Sequence, residues 1–226
     1  LEHRRQRQMC IRDSSTTIFT SLYYFGGPKI SGSLRDIQLL RNGKKFKSID
    51  FYDFLVKGKK KNDFRLIDGD VIFIPLRKKT ISVIGEVNKP SIFELKENEN
   101  FSNLIEYFGG FLSTTYLKRA KLNRINLFDE RMKTGEDRII IDLSLFELEK
   151  SNYSYNLLDG DLIEFFEISD SYANAVTIKG PVKRPGVYSF EESMTIFELI
   201  KKSDGLINGD VFRERVDLIR TLENNE

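Results

Sequence analysis

Two acidic triplets, Asp68-Gly69-Asp70 and Asp159-Gly160-Asp161, have the residue types and spacing to attract a cation. An EF-hand-type calcium loop needs five or more oxygen ligands and a bidentate glutamate at its end, and neither triplet has them. Asp-Gly ahead of a β-rich run forms a turn whose aspartate caps its own backbone, and the triplets are read so. Three arginines, Arg41, Arg124 and Arg220, stand 14, 14 and 15 residues after Gly27, Gly110 and Gly205. They could repeat one ligand contact. A strand arginine more often pairs with a neighbouring carboxylate or lies in solvent. The run Lys57-Gly58-Lys59-Lys60-Lys61 could grip phosphate. It has no interleaved aromatics and no basic domain around it, so a solvated loop is expected and nucleic acid is not a partner.

Catalytic sets fail on inventory. The single histidine and single cysteine, His3 and Cys10, both fall in the first 14 residues. Without them, Cys–His, Ser–His–Asp and histidine–metal sites have no members. No GxxxxGK[ST] or GxGxxG string is present, which removes the usual nucleotide loops. The expectation is a non-enzymatic chain with no catalytic, cofactor or metal site.

The arginines and triplets recur because the chain repeats itself. "LYYFGG" at 22–27 returns as "IEYFGG" at 105–110, 83 residues on. A shift of 95 lays "ISVIGEVNKPSIFEL" (81–95) over "VTIKGPVKRPGVYSF" (176–190), pairing Gly85 with Gly180 and Pro90 with Pro185. "IDGDVIFIP" (67–75) and "LDGDLIEFF" (158–166) recur as well. One module is used three times, and this fixes the unit of the fold.

In the middle copy, Val83, Gly85 and Val87 alternate with polar or small residues, Pro90 suits a turn, and Phe93 and Leu95 alternate again: a β-hairpin. In the third copy Pro185-Gly186 favours a type II turn. Phe101, Leu104, Ile105 and Phe108 then fall on one helical stripe. Asn100, Thr17 and Thr195 are the candidate N-caps, and only Thr195 has a good capping-box partner, Glu198. Gly109-Gly110 stops the helix with Gly110 as the favoured left-handed residue, and Phe108, which the repeat aligns with Phe25, enters the core. Strands follow around 121–127, 138–142 and 162–168. The order is α+β: tandem β-grasp-like modules, each a small mixed sheet with one main helix.

Residues 1–14, "LEHRRQRQMCIRDS", break this register. They carry four arginines against Glu2 and Asp13, which is the whole net charge of +2. The head is read as foreign to the fold, and the pI of about 8.5 says nothing of an anionic partner. Module boundaries are set at 15–77 (N-terminally truncated), 80–168 (complete) and 174–226 (C-terminally truncated). Both ends are expected to lie inside a longer protein.

"VIGEVNKPSIFEL", "NFSNLIEYFGGF", "TIKGPVKRPGVYSF" and "DGDLIEFF" resemble SLBB domains, the soluble-ligand-binding β-grasp modules. "GSLRDIQLLRNGK", "IDFYDFLVKG" and "LIDGDVIFIP" are similar to the tandem modules of Wza-type polysaccharide export outer-membrane proteins. The middle hairpin departs from that pattern with Pro90-Ser91, and the third helix stop has one glycine. The resemblance implies a periplasmic body at the outer membrane that helps build an oligomeric conduit for capsular polysaccharide or exopolysaccharide. Its implied partners are the glycan, further copies of itself and an inner-membrane polysaccharide co-polymerase. Two other classes remain: a non-transporting envelope protein whose modules bind a soluble ligand, and accessory modules of an envelope enzyme.

Overall fold

A computed structural model describes residues 16–60, 63–209, 211–212 and 215–220. The head expected to be foreign, residues 1–14, lies outside the described residues. The chain divides into two compact units, residues 1–168 and 169–226.

In the first unit the first copy supplies α1 (Ile18–Tyr24), β1 (Ile37–Arg41), β2 (Lys44–Ile49), α2 (Phe51–Leu55) and β3 (Val71–Phe73), with sheet order β2-β1-β3. The second copy runs β4 (Lys79–Gly85), β5 (Ser91–Leu95), α3 (Phe101–Phe108), β6 (Thr115–Ile125), α4 (Phe128–Thr134), β7 (Arg138–Leu143), α5 (Leu145–Lys150) and β8 (Leu162–Glu167). Its sheet has the order β5-β4-β8-β6-β7 and is mixed, because β4 and β8 run parallel while the other neighbours are antiparallel. The second unit holds the antiparallel hairpin β9 (Ala175–Ile178) and β10 (Gly186–Ser189), then α6 (Ile196–Lys202). The architecture is α+β, with tandem β-grasp-like sheets and one main helix to each. The first copy reproduces the β7-β6-β8 half of the middle sheet, and the third reproduces its β5-β4 half.

Periodicity explains the packing. Phe101, Leu104 and Phe108 of α3 are buried against Ile81, Val83, Phe93, Leu122, Ile163 and Phe165 from the inner face of the sheet. A smaller core joins Ile18, Phe19 and Leu22 of α1 to Ile37, Leu39 and Ile49. All three main helices are capped as expected: Thr17 accepts from Thr20 N–H, Asn100 from Ser102 N–H and Thr195 from Glu198 N–H. The capping box is not confined to the third copy, since Asn103 returns a side-chain bond to the Asn100 N–H at 3.1 Å.

The helix stop is a Schellman motif used three times. Gly109 donates to Glu106 O and Gly110 to Ile105 O; Gly26 and Gly27 repeat this on Tyr23 and Leu22, and Asp204 and Gly205 on Lys201 and Ile200. Gly109, at φ 79°, is therefore the first left-handed residue, ahead of Gly110 at φ 85°. In the third copy an aspartate, Asp204, takes this position at φ 63°.

The alignment of Phe25 with Phe108 does not extend to burial: Phe25 is 79% exposed, whereas Phe108 is 0% exposed. Phe108 packs on Phe111 and Phe165. The first copy has Pro28 and Ile74 at those places, and no hairpin precedes α1 among the described residues. Gly186, against expectation, does not adopt a type II turn; its φ of 159° is close to extended because it already pairs with Ile178 in the hairpin ladder.

Candidate functional site

Each repeated arginine in the first unit closes on the second aspartate of its triplet. Arg124 donates Nε to Asp161 Oδ1 at 3.0 Å and Nη2 to Oδ2 at 2.7 Å, and Nη2 also reaches Asn156 O. Arg41 does the same to Asp70 at 2.8 Å and 2.8 Å, with Nη2 on Arg65 O. Each aspartate also accepts a turn N–H, from Leu158 or Ile67. The arrangement staples the turn before the last strand to the strand that carries the arginine. In Arg41 the hydrogen bond to Asp70 raises the guanidinium pKa, and it holds the Asp70 carboxyl below its usual range. Among the described residues no group of three or more His, Cys, Asp or Glu could hold a metal ion. Arg220 is not followed by a third triplet in the sequence.

The glycine of the G-x-V string has a different task. Gly85 sits at φ 88°, and a Cβ there would stand 1.9 Å from the carbonyl oxygen of Phe165. The same oxygen accepts the Glu86 N–H at 3.1 Å. Only glycine lets the hairpin strand approach β8 this closely.

The densest polar constellation is one that the repeat pattern did not reveal. Arg35, from the first copy, has a side chain only 6% exposed. It forms two bonds with Asp50 (2.9 and 3.0 Å) and two with Glu99 (2.8 and 2.6 Å), and donates to the Glu94 carbonyl at 2.9 Å. Its guanidinium lies 4.4 Å from the ring centre of Tyr52 and 5.1 Å from that of Tyr107, within cation–π range of both, and the two rings meet edge to face at 5.0 Å. Tyr107 Oη donates to Glu99 Oε1 at 2.7 Å, and Lys96 Nζ reaches Asp50 Oδ2 at 2.6 Å. The buried Glu94 carboxylate accepts from Ser33 Oγ and Leu34 N–H, while Glu94 N–H donates to Tyr52 Oη. Arg35, Asp50 and Tyr52 come from the first copy; Glu94, Lys96, Glu99 and Tyr107 come from the second.

Burial works against the charge on Asp50, but the hydrogen bonds and charges of Arg35 and Lys96 outweigh it and hold the carboxyl below its usual range. Glu99 is likewise lowered, burial being overcome by Arg35, the Lys96 N–H and Tyr107. Burial and the Glu99 carboxylate push the Tyr107 hydroxyl up, and burial pushes up that of Tyr52. These ion pairs and hydrogen bonds run from the first copy to the second, so the constellation locks the two modules together. It escaped the repeat reading because most of its members stand at positions where the copies differ, although Tyr107 recurs as Tyr24 in the first copy. Shifted by 95, Glu94, Lys96, Glu99 and Tyr107 become Ser189, Glu191, Met194 and Lys202.

The basic run behaves as a loop: Lys57 pairs with Glu106 and Lys60 with Asp63, and Lys61 lies outside the described residues. An open depression is lined by Lys29, Ile30, Ser31, Leu76 and Arg77. Tyr23 and Phe25 are exposed at the end of α1.

The family model of the SLBB domain matches residues 80–137 and 175–225. The second and third copies carry SLBB domains, and residues 15–77 lie outside the match. No curated protein matches the sequence. The SLBB match points to a module that binds a soluble ligand or polysaccharide. Among the described residues no helix is long and apolar enough to cross a membrane.

Proposed function

We propose that this chain is a segment of the periplasmic body of a polysaccharide export protein at the outer membrane, one that self-associates into a conduit for capsular polysaccharide or exopolysaccharide. The observation that carries the reading is the serial use of one SLBB module, with the first two copies locked into a single body through Arg35. Serial modules of this size offer surface to further copies and to a passing glycan, and a heterologous contact whose rotation closes gives a ring. The exposed rings of Tyr23 and Phe25 suit stacking on sugar faces. In this reading the chain is non-catalytic and an inner-membrane co-polymerase delivers the glycan.

The test uses the full-length gene. Its deletion should abolish surface polysaccharide while lipid-linked precursor synthesis continues, and the purified full-length protein should form rings in electron microscopy. Normal surface polysaccharide in the deletion strain, without a compensating paralogue, overturns transport and leaves an envelope protein that binds a soluble ligand.

A further inference from the structure

Strand β7 ends the five-stranded sheet of the middle module, and β6 is its sole strand neighbour among the described residues. Its sequence is Arg138-Ile139-Ile140-Ile141-Asp142-Leu143, and Arg138, Ile140 and Asp142 are exposed, Ile140 by 67%. Side chains two apart share a face of the strand, so these three form one row. The matching edge of the first module is β2, which carries Lys44, Lys45 and Lys47. Lysines at an edge repel a second strand, and β7 has no such guard.

The backbone phase is fixed by one bond. Asn126 N–H donates to Asp137 O at 2.9 Å, in register with the Ile125↔Arg138 pairing. Main-chain groups in an antiparallel ladder alternate between the two sides. Residues 137, 139 and 141 therefore turn towards β6, and Arg138, Ile140 and Asp142 direct their N–H and C=O groups to the free edge.

We infer that this edge binds the same edge of a second copy, antiparallel, with the two Ile140 residues opposed on a two-fold axis. In that register Arg138 faces Asp142 of the second copy and Asp142 faces its Arg138. Each opposed pair exchanges two main-chain hydrogen bonds, and Ile139 packs beside Ile141 of the other chain. Arg138 has no carboxylate partner among the described residues, while Asp142 accepts only the Nε of Arg119, at 2.8 Å. A carboxylate has room for both donors. The charges thus select the register that the backbone phase already requires. A ring uses a heterologous contact and this one is isologous, so the two surfaces differ and the inference stands or falls apart from the transport reading.

The experiment is light scattering and sedimentation of the full chain across micromolar to submillimolar concentrations. Wild type should show a concentration-dependent dimer. Arg138→Glu and Asp142→Arg should each weaken it by at least about tenfold through like charges set opposite one another, with the unfolding midpoint unchanged. The exchanged variant, Arg138→Asp with Asp142→Arg, should restore it. A monomeric wild type, single variants that dimerise normally, or an exchange that fails to rescue would each overturn the inference.

Discussion

Nη2 of Arg35 and Oε1 of Glu99, 64 residues apart in sequence, lie 2.6 Å apart across the joint between the first two modules. Replacing Arg35 with alanine leaves the largely buried Glu99 carboxylate without a cation and Asp50 with Lys96 alone. The loss should be about 3–5 kcal/mol in denaturant unfolding of the first unit. A loss under about 1 kcal/mol would show that the joint is no tighter than a surface ion pair.

Acid should loosen the same joint. Asp50 and Glu99 both have folded pKa values below their unfolded values of 3.8 and 4.5. A depressed carboxylate contributes stability that is complete above the unfolded pKa and disappears as pH falls through the folded one. Stability of the first unit should therefore decline from about pH 4.5 downward, and Arg35→Ala should flatten that decline. Equal slopes in the two proteins would contradict the assignment.

The Arg–Asp staple makes a graded prediction. Asp161 has a fully buried side chain, and Asp161→Asn gives up the charge-assisted bond pair to Arg124. The cost should be about 2–3 kcal/mol. Arg124→Lys should be intermediate because an ammonium cannot make the paired contact. If Asp161→Asn unfolds at the wild-type denaturant midpoint, the staple does not hold the turn.

Gly85→Ala and Gly180→Ala should behave differently, although both glycines hold the same repeat position. At Gly85 the added carbon meets the Phe165 carbonyl and the backbone is left-handed, so a loss of about 2–4 kcal/mol is expected. Around Gly180 nothing lies within 4 Å of the added carbon, and the backbone cost of about 1 kcal/mol remains alone. Equal losses would mean that close strand approach is not what glycine supplies.

At the helix stops, Gly109→Val should cost about 1–2 kcal/mol. Asp204→Gly in the third copy should gain up to about 1 kcal/mol, because the Arg184–Asp204 pair it removes is largely exposed and contributes little. A destabilised Asp204→Gly would show that the ion pair outweighs the backbone strain.

What was legible in the sequence followed from local pattern. β4, β5, α3 and β8 show clear alternation or a clear helical stripe, and the turn signals and caps bounded them. The first half of β6 did not show, because Tyr116 to Arg119 are all exposed and the pairing with β8 slips between Thr115 and Ala120. α4 buries no residue and has no side-chain cap, so it left no periodic trace. The arginine–aspartate pairing was one of the readings open from the sequence, since Arg41 and Arg124 recur in step with the triplets. The Arg35 lock was not: its members span residues 33 to 107, and their shared burial is a tertiary property that no single window of sequence contains. Phe25 shows the converse limit, a repeated residue whose burial depends on neighbours that its own copy lacks.

Gly85 also bears on how such modules drift. Any substitution there adds at least one carbon into the Phe165 carbonyl, so the position has no gentle intermediates along a mutational path. The lock residues around Arg35, by contrast, can be exchanged as a set. Diverging copies of the module should therefore keep the glycine before the valine as a fixed landmark, and record their individual histories in the groups that join one copy to the next.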